Sequence, residues 1–445
     1  MNLNRALIGL AWPMVLANLS VALLGMVDTA VVGHLDDAVY LGGVALATIL
    51  FDFLFWTFGF LRMSTTGFVA QRFGAERFQD MRDLIVQSLG LGLACALFVL
   101  VISEPLLFWA LPKLEGSPEV KAQAAIYFHT KIWGAPWVFA QYVLVGAFIG
   151  AQNTRAPMVI AICLNVLNVT LDFVFVFGLG WGVRGVAAAS VLAEMVAAIV
   201  GAVLLLRMMN GYPGRWRPAA AFDFRALAGH IGLNATIMIR TLCLIFAFAF
   251  FTNQGARLGD DILAANAILL NFLILMALGL DGFAQAVEAL TGRFYGAEDG
   301  HTLRRVIALG TRWSVGFAVL FTGTFALFGA TIIDLMTDLP EVQRTASRFL
   351  GWVIVAPLVG VWPFLYDGIF IGATRGRDMM WTMVVATFGI FLPLWGLTRP
   401  FGNHGLWMAF LAFLAARGLL LAAIWHREMR GRRRREASRA PLNPS

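Results

Sequence analysis

Long apolar runs separated by short polar punctuation set the plan of this chain. They fall at 6–33, 41–71, 84–110, 119–150, 157–180 and 184–209. After a polar connector they resume at 226–257, 261–292, 302–335, 341–371, 378–398 and 404–426. A hydrocarbon core roughly 30 Å thick takes about 20 helical residues per crossing. Each run is long enough to span, the longer ones with tilt or projecting ends. Transmembrane strands would be about 10 residues long with strict alternation, and nothing here alternates. The pattern predicts an all-α integral membrane protein with twelve spans. The first run, which follows Arg5 and reaches past Val32, is too long for the apolar core of a cleaved leader and reads as a retained span.

The chain also repeats itself. Gly146-Ala-Phe-Ile-Gly150-Ala-Gln152 returns as Gly368-Ile-Phe-Ile-Gly372-Ala-Thr374, an offset of 222 residues (146 to 368). Phe73-Gly74-Ala75-Glu76 matches Tyr295-Gly296-Ala297-Glu298 at the same offset, as do Arg82 with Arg304 and Gly33 with Gly255. Separate matches holding one offset divide the chain into a six-span lobe, 1–209, and a second, 226–426. A connector, 210–225, opens with the loop-forming Asn210-Gly-Tyr-Pro-Gly-Arg-Trp-Arg-Pro218, and a basic tail occupies 427–445. Each lobe has an even number of spans, so both share one orientation. The expected architecture is two six-helix bundles, parallel repeats about an axis along the membrane normal, around a central cleft.

Composition agrees: 60% of residues are apolar and 13% charged, against about 25% charged in soluble domains. No room is left for a sizeable soluble domain. The net charge of +7 gathers in the tail and in alternate loops, those with Arg72, Arg77 and Arg82, with Arg155, with Arg207, Arg215 and Arg217, with Arg304 and Arg305, and with Arg375 and Arg377. That asymmetry predicts an inner-membrane protein with both termini cytoplasmic, and it needs no nucleic-acid partner. The three cysteines lie inside apolar runs with no paired spacing, and no glycine-rich phosphate loop or His-Glu-x-x-His motif is present. Enzymatic activity, ATP use, a cofactor and a resident metal are therefore not expected.

Charges at bilayer depth are costly, which makes each one a candidate for function. Asp28 lies within the first span, fifteen residues after Pro13, a residue that loosens a helix and lets it bend. Asn165, Asn168 and Asp172 stand at i, i+3 and i+7 on one face of span five. One acid with two amides suits a proton or a hard cation held through oxygen; a polar stripe joining helices is the alternative. In span eight Asp281 and Glu288 share a face, and Asp281 is the expected partner of Arg240 in span seven. Asp367 lies in the repeated segment of span ten. These four could form a static ion-pair set or take part in binding. Asp52, Arg62, Glu194 and Arg417 read as packing pairs, and His129 and His404 as interfacial.

The residues resemble those of the multidrug and toxic compound extrusion (MATE) family, most closely its DinF branch. The resemblance covers nearly the whole length. It rests on Val27-Asp28-Thr29-Ala30-Val31-Val32-Gly33-His34-Leu35, on Leu164-Asn165-Val166-Leu167-Asn168-Val169-Thr170-Leu171-Asp172, on Gly185-Val-Ala-Ala-Ala-Ser190 and on the two Gly-x-x-x-Gly-Ala segments. It implies antiport of small amphipathic, often cationic, compounds out of the cell, driven by a proton or sodium gradient. It also implies that Asp28, Asp172, Asn165, Asn168 and Ser190 form the coupling site and that Pro13 is the hinge. Sodium at Asp28, Asp172 and Asn168 is the alternative to a proton. Where some members have a tyrosine one turn before the first acid, this chain has Leu24. A flippase for lipid-linked precursors, of the same broad superfamily, would favour a more basic cavity, and a membrane-embedded transferase would need a clustered acid–base set. A monomer surrounded by membrane lipid is expected.

Overall fold

The structure, a computed structural model, describes side chains for residues 2–21, 31–33, 39–221, 223 and 231–431, and backbone alone for 22–30, 38, 222, 224–230 and 432–439. The first lobe runs α1 (Leu3–Gly33), α2 (Ala38–Thr57), α3 (Phe60–Gly74), α4 (Phe78–Ala110), α5 (Pro118–Lys131), α6 (Ala135–Gly150), α7 (Arg155–Asp172) and α8 (Gly182–Met209). The second runs α9 (Phe224–Arg257), α10 (Asp260–Gly296), α11 (Gly300–Met336), α12 (Pro340–Gly372), α13 (Gly376–Val384), α14 (Leu392–Thr398) and α15 (Asn403–Arg439). No strand occurs among the described residues. Eleven helical stretches among them are long and apolar enough to cross a membrane, and α1, with 31 residues, precedes them. The twelve spans the apolar runs predict are therefore present.

Several spans are not single helices. Span two breaks between α2 and α3 at Phe58–Gly59, and span four breaks at a 3-10 turn, Ile132–Gly134. Pro136 stands in the first turn of α6, directly after the second break, where its missing amide hydrogen forfeits no helical bond. Spans five and eleven widen into π turns at Phe173–Gly178 and Val385–Phe391, the first directly after Asp172. Irregular backbone at membrane depth survives only where protein or a watered cavity satisfies it. Pro13 sits inside an unbroken α1.

The repeat is visible in the finest backbone detail. Among the described residues, four that are not glycine adopt positive φ: Glu76 (55°), Gln152 (62°), Glu298 (56°) and Thr374 (54°). They form two pairs at the offset of 222, and each closes a helix with a six-residue turn of the Schellman kind. Arg77 N–H reaches the Arg72 carbonyl at 2.9 Å as Asp299 N–H reaches that of Phe294 at 3.0 Å; Asn153 N–H reaches that of Phe148 at 2.8 Å as Arg375 N–H reaches that of Phe370 at 2.9 Å. Within the lobes, Gly146 and Gly150 of α6 lie against the carbonyls of Arg62 and Thr66. Gly368 and Gly372 of α12 lie against the equivalent carbonyls of Ala284 and Glu288. Glycine stands at these four positions because a Cβ there would overlap the neighbouring backbone.

The two lobes meet reciprocally near the face that carries both termini. Gly74 of α3 packs on the Arg293 carbonyl of α10, and Gly296 of α10 packs on the Gln71 carbonyl of α3. Gln71 Nε2 donates to the Gly372 carbonyl at 2.9 Å and to Thr374 Oγ1 at 3.1 Å. Its counterpart Arg293 donates from Nη1 to Gln152 Oε1 at 2.6 Å. Gln71 and Arg293 are equivalent positions, as are Gln152 and Thr374, so one contact has been built twice. Nearer mid-depth, Asn18 of α1 donates to the Leu278 carbonyl of α10 at 3.1 Å.

Gly74→Ala and Gly296→Ala should each destabilise the protein, by about 1–3 kcal/mol, the usual cost of overpacking. Gly9→Ala and Gly316→Ala, whose surroundings are open, should be neutral or slightly stabilising. Thermal unfolding of the purified protein in detergent checks this; unequal behaviour of Gly74 and Gly296 would count against their equivalence.

Candidate functional site

In the first lobe the face predicted on span five exists and is divided in two. Asn168 and Asp172 of α7 are buried, at 1% and 0% exposure, and Asn168 Nδ2 donates to Ser190 Oγ of α8 at 3.3 Å. Asn168 and Ser190 thus join α7 to α8, and Asp172 lies one turn further along α7, at its end. Asn165, a turn away, turns instead to α1 and donates from Nδ2 to both the carbonyl and the hydroxyl of Ser20. The side chain of Asp28, the other acid expected here, lies outside the described residues, as does that of Leu24.

The second lobe holds a different set. Arg240 of α9 pairs with Oδ2 of Asp367 on α12, and Arg417 of α15 donates to the same oxygen at 3.0 Å. All three are nine-tenths buried or more. The expected pairing of Arg240 with Asp281 is therefore corrected: its partner is Asp367. A long arginine can reach an acid a turn nearer the membrane face than its own Cα, and sequence shows depth but not which helices face each other. Asp281 stays within electrostatic reach of Arg62, Asp367, Arg240 and Arg417. Glu288, on the same helix, faces Arg62 of α3 at 3.8 Å, a charge pair that crosses between lobes. Arg62 and Arg417 are thus paired, as the packing reading anticipated.

Sequence reasoning missed Lys131. Its Nζ lies 3.5 Å from Glu194 Oε1 of α8, and Gln141 Nε2 donates to the Glu194 carbonyl at 2.7 Å. A lysine inside an apolar run, followed directly by Ile132-Trp133-Gly134-Ala135-Pro136, was the available signal.

The lobes share a backbone but not this chemistry. Positions equivalent to Lys131, Asn168, Asp172, Ser190 and Glu194 are Val353, Ile390, Leu394, Ala412 and Ala416. Those equivalent to Arg240, Asp281, Glu288, Asp367 and Arg417 are Asn18, Gly59, Thr66, Val145 and Met195. Among the described residues, no three histidine, cysteine or carboxylate side chains are grouped as a metal site would need.

The family model MatE matches twice, over residues 13–174 and 236–395, once in each lobe. The chain belongs to the MATE family. Within it the chain is 44% identical to DNA damage-inducible protein F of Escherichia coli (strain K12), over 96% of this chain and 93% of that protein, which sets it in the DinF branch. It is 28% identical to a probable multidrug resistance protein NorM of Rhizobium meliloti (strain 1021), covering 94% and 92% of the two chains. Among solved structures, an outward-facing multidrug resistance MATE transporter superposes with a TM-score of 0.87 at 18% identity, over 97% of both chains. The Vibrio cholerae MATE transporter VcmN in its bent form superposes at 0.85 with 21% identity, over 96% of this chain and 97% of that one. These MATE structures share the fold of two six-helix bundles. The family is one of multidrug efflux transporters, and this chain is a transmembrane member of it.

In this MATE protein, Asp367→Asn should cost more than Arg417→Met, because it strands two buried guanidiniums while the second leaves the Arg240–Asp367 pair intact. Breaking a buried pair typically costs about 3–5 kcal/mol. Thermal unfolding of both variants decides; equal losses would mean that Asp367 is not the shared partner.

Proposed function

We propose that this chain is a secondary antiporter of the inner membrane that exports small amphipathic, often cationic, compounds in exchange for protons. The observation that carries this reading is Asp172, an acid with no solvent exposure, one helical turn along α7 from Asn168, which is joined to Ser190 of α8. A charge at this depth is costly, which makes such an acid a candidate for proton exchange. The π turn that follows Asp172 adds a reason to expect motion here, since such turns are frequent at functional sites. Asp28 is the second coupling acid in this reading, Asn165 joins the site through α1, and Pro13 is the point where span one bends. A proton taken up from outside neutralises the acids. The lobe then reshapes and substrate leaves, and the proton is released inside after the carrier resets. A ligand can shift such an equilibrium only by its differential affinity for the two states, so proton and substrate must compete.

The reading places both termini, and the reciprocal α3–α10 contact, on the cytoplasmic side, in keeping with the basic loops there. A cysteine introduced in 210–218 should react with an impermeant thiol reagent only from the cytoplasm; labelling from the periplasm would reverse the topology.

Transport in everted vesicles tests the coupling. Dye efflux by the wild-type protein should collapse on adding a protonophore, and persistence under sodium alone would favour the other ion. Asp172→Asn keeps the side chain's shape but cannot exchange a proton. It should reach the membrane folded and lose ion-driven efflux altogether; full efflux would demote the span-five face to a polar stripe. Asp28→Asn should mimic the protonated state and bind substrate poorly at every pH, whereas Pro13→Ala should keep pH-dependent binding and slow the turnover.

A further inference from the structure

A second ionisable cluster lies deeper in the first lobe, where two spans are broken. Asp52 of α2, Lys131 of α5 and Glu194 of α8 each stand roughly 18–21 Å along their helices from the face opposite the termini, at about 1.5 Å per residue. That depth is close to mid-membrane. Carriers place ion and substrate sites at this level, beside discontinuous helices. Lys131 is the last residue of α5, directly at the break of span four. Asp52 is one and a half turns before the break of span two. Glu194 follows Ser190, the partner of Asn168, by one helical turn on the same face of α8.

The break of span four is shaped around the Glu194 carboxylate. Gly134 at this turn lies directly beneath the Glu194 carboxylate, so that a Cβ there would displace Oε2 from its place. Lys131 and Glu194 approach to 3.5 Å with side chains 16% and 13% exposed. Tyr142 of α6, whose hydroxyl donates to the Phe55 carbonyl at 3.5 Å, lies within electrostatic reach of Glu194, Arg62 and Asp52. Asp52 is exposed at mid-depth and follows Phe51, which stacks on Phe128 and meets Tyr127 edge-on, so α2 lies against α5 one turn before Lys131. The ionisable groups set against Glu194 are thus Lys131 from α5 and Tyr142 from α6, and Tyr142 is in turn within reach of Asp52 of α2 and Arg62 of α3.

We propose that Glu194 is a second proton-accepting carboxylate of this lobe, and that Lys131 transfers its ion pair from Glu194 to Asp52 when the proton binds. A proton from water forms an O–H bond on one Glu194 oxygen. No covalent bond breaks, and the Lys131 ammonium keeps its three hydrogens. Before the step two carboxylates share one ammonium, and the trio carries one net negative charge. After it the trio is neutral, the cheaper state in a medium that hydrates charge poorly. Because the ammonium moves between the ends of α5 and α2, occupancy of Glu194 acts on both breaks. The titration stands on this geometry alone, while its use in transport rests on the antiport reading above.

Infrared difference spectra of the purified full-length protein in lipid nanodiscs, recorded against pH, test it through the carbonyl band of a protonated carboxylic acid. A band lost in Glu194→Gln and kept in Asp172→Asn is expected. Lys131→Met should move its appearance to higher pH, because the neutral acid no longer competes with an ion pair. Asp52→Asn should move it to lower pH, because the displaced ammonium has no second partner. Each displacement should be on the order of one pH unit, the usual effect of a close charge. A spectrum of Glu194→Gln identical to wild type would overturn the proposal. So would displacements of the same sign in Lys131→Met and Asp52→Asn, which decides the matter even if Glu194→Gln does not fold. No substrate or gradient enters this measurement, so its failure is distinguishable from failure of antiport, which the vesicle assay reads.

Discussion

A charged or hydrogen-bonding group inside a bilayer must find its partner within the protein, because the hydrocarbon offers none. Most of what is individual about this chain answers that constraint. Asp367 holds two arginines from two helices, Glu288 faces an arginine from the other lobe, and Glu194 takes the lysine at a helix break. The breaks themselves fall where polar side chains can serve the interrupted backbone, as Tyr142 does for the Phe55 carbonyl. Such pairs are poor sources of stability relative to apolar packing, since desolvation offsets most of the attraction.

The internal repeat shows how a duplicated scaffold separates structure from chemistry. What the lobes share is backbone: positive-φ helix ends, glycines beneath carbonyls, and a reciprocal contact between α3 and α10. What they do not share is almost every ionisable group inside the membrane. Leu394, Ala412 and Ala416 stand where the first lobe has Asp172, Ser190 and Glu194. The first lobe carries Asp172 and Glu194 along α7 and α8, and the second carries two arginines gathered on Asp367. Arg62 and Glu288 connect the two, so a change of charge in one lobe is felt at the boundary with the other.

The contact near the terminal face also bears on how the lobes move. Gln71 with Thr374 and Arg293 with Gln152 use the residues that end α12 and α6 in the left-handed region. Positive φ in a β-branched residue such as Thr374 is costly, and strain of that kind gathers at switches.

Sequence alone determined the membrane class, the number of spans and the repeat. Those follow from run length, composition and one constant offset, all of which are local or self-comparing properties. It also set Asn168 and Asp172 one turn apart on a shared face of α7, because helical spacing fixes such a face, while the structure turned Asn165 to α1 and joined Asn168 to Ser190 of α8. Only the tertiary structure decided which charges meet. Arg240 turned to Asp367 and not Asp281, and Lys131, unnoticed in an apolar run, proved to be the partner of Glu194. Periodicity gives each residue a depth and a direction relative to its own helix. Which neighbour stands in that direction depends on how twelve spans pack, and on where α2 and α5 break, and neither is encoded in the spacing of any single run.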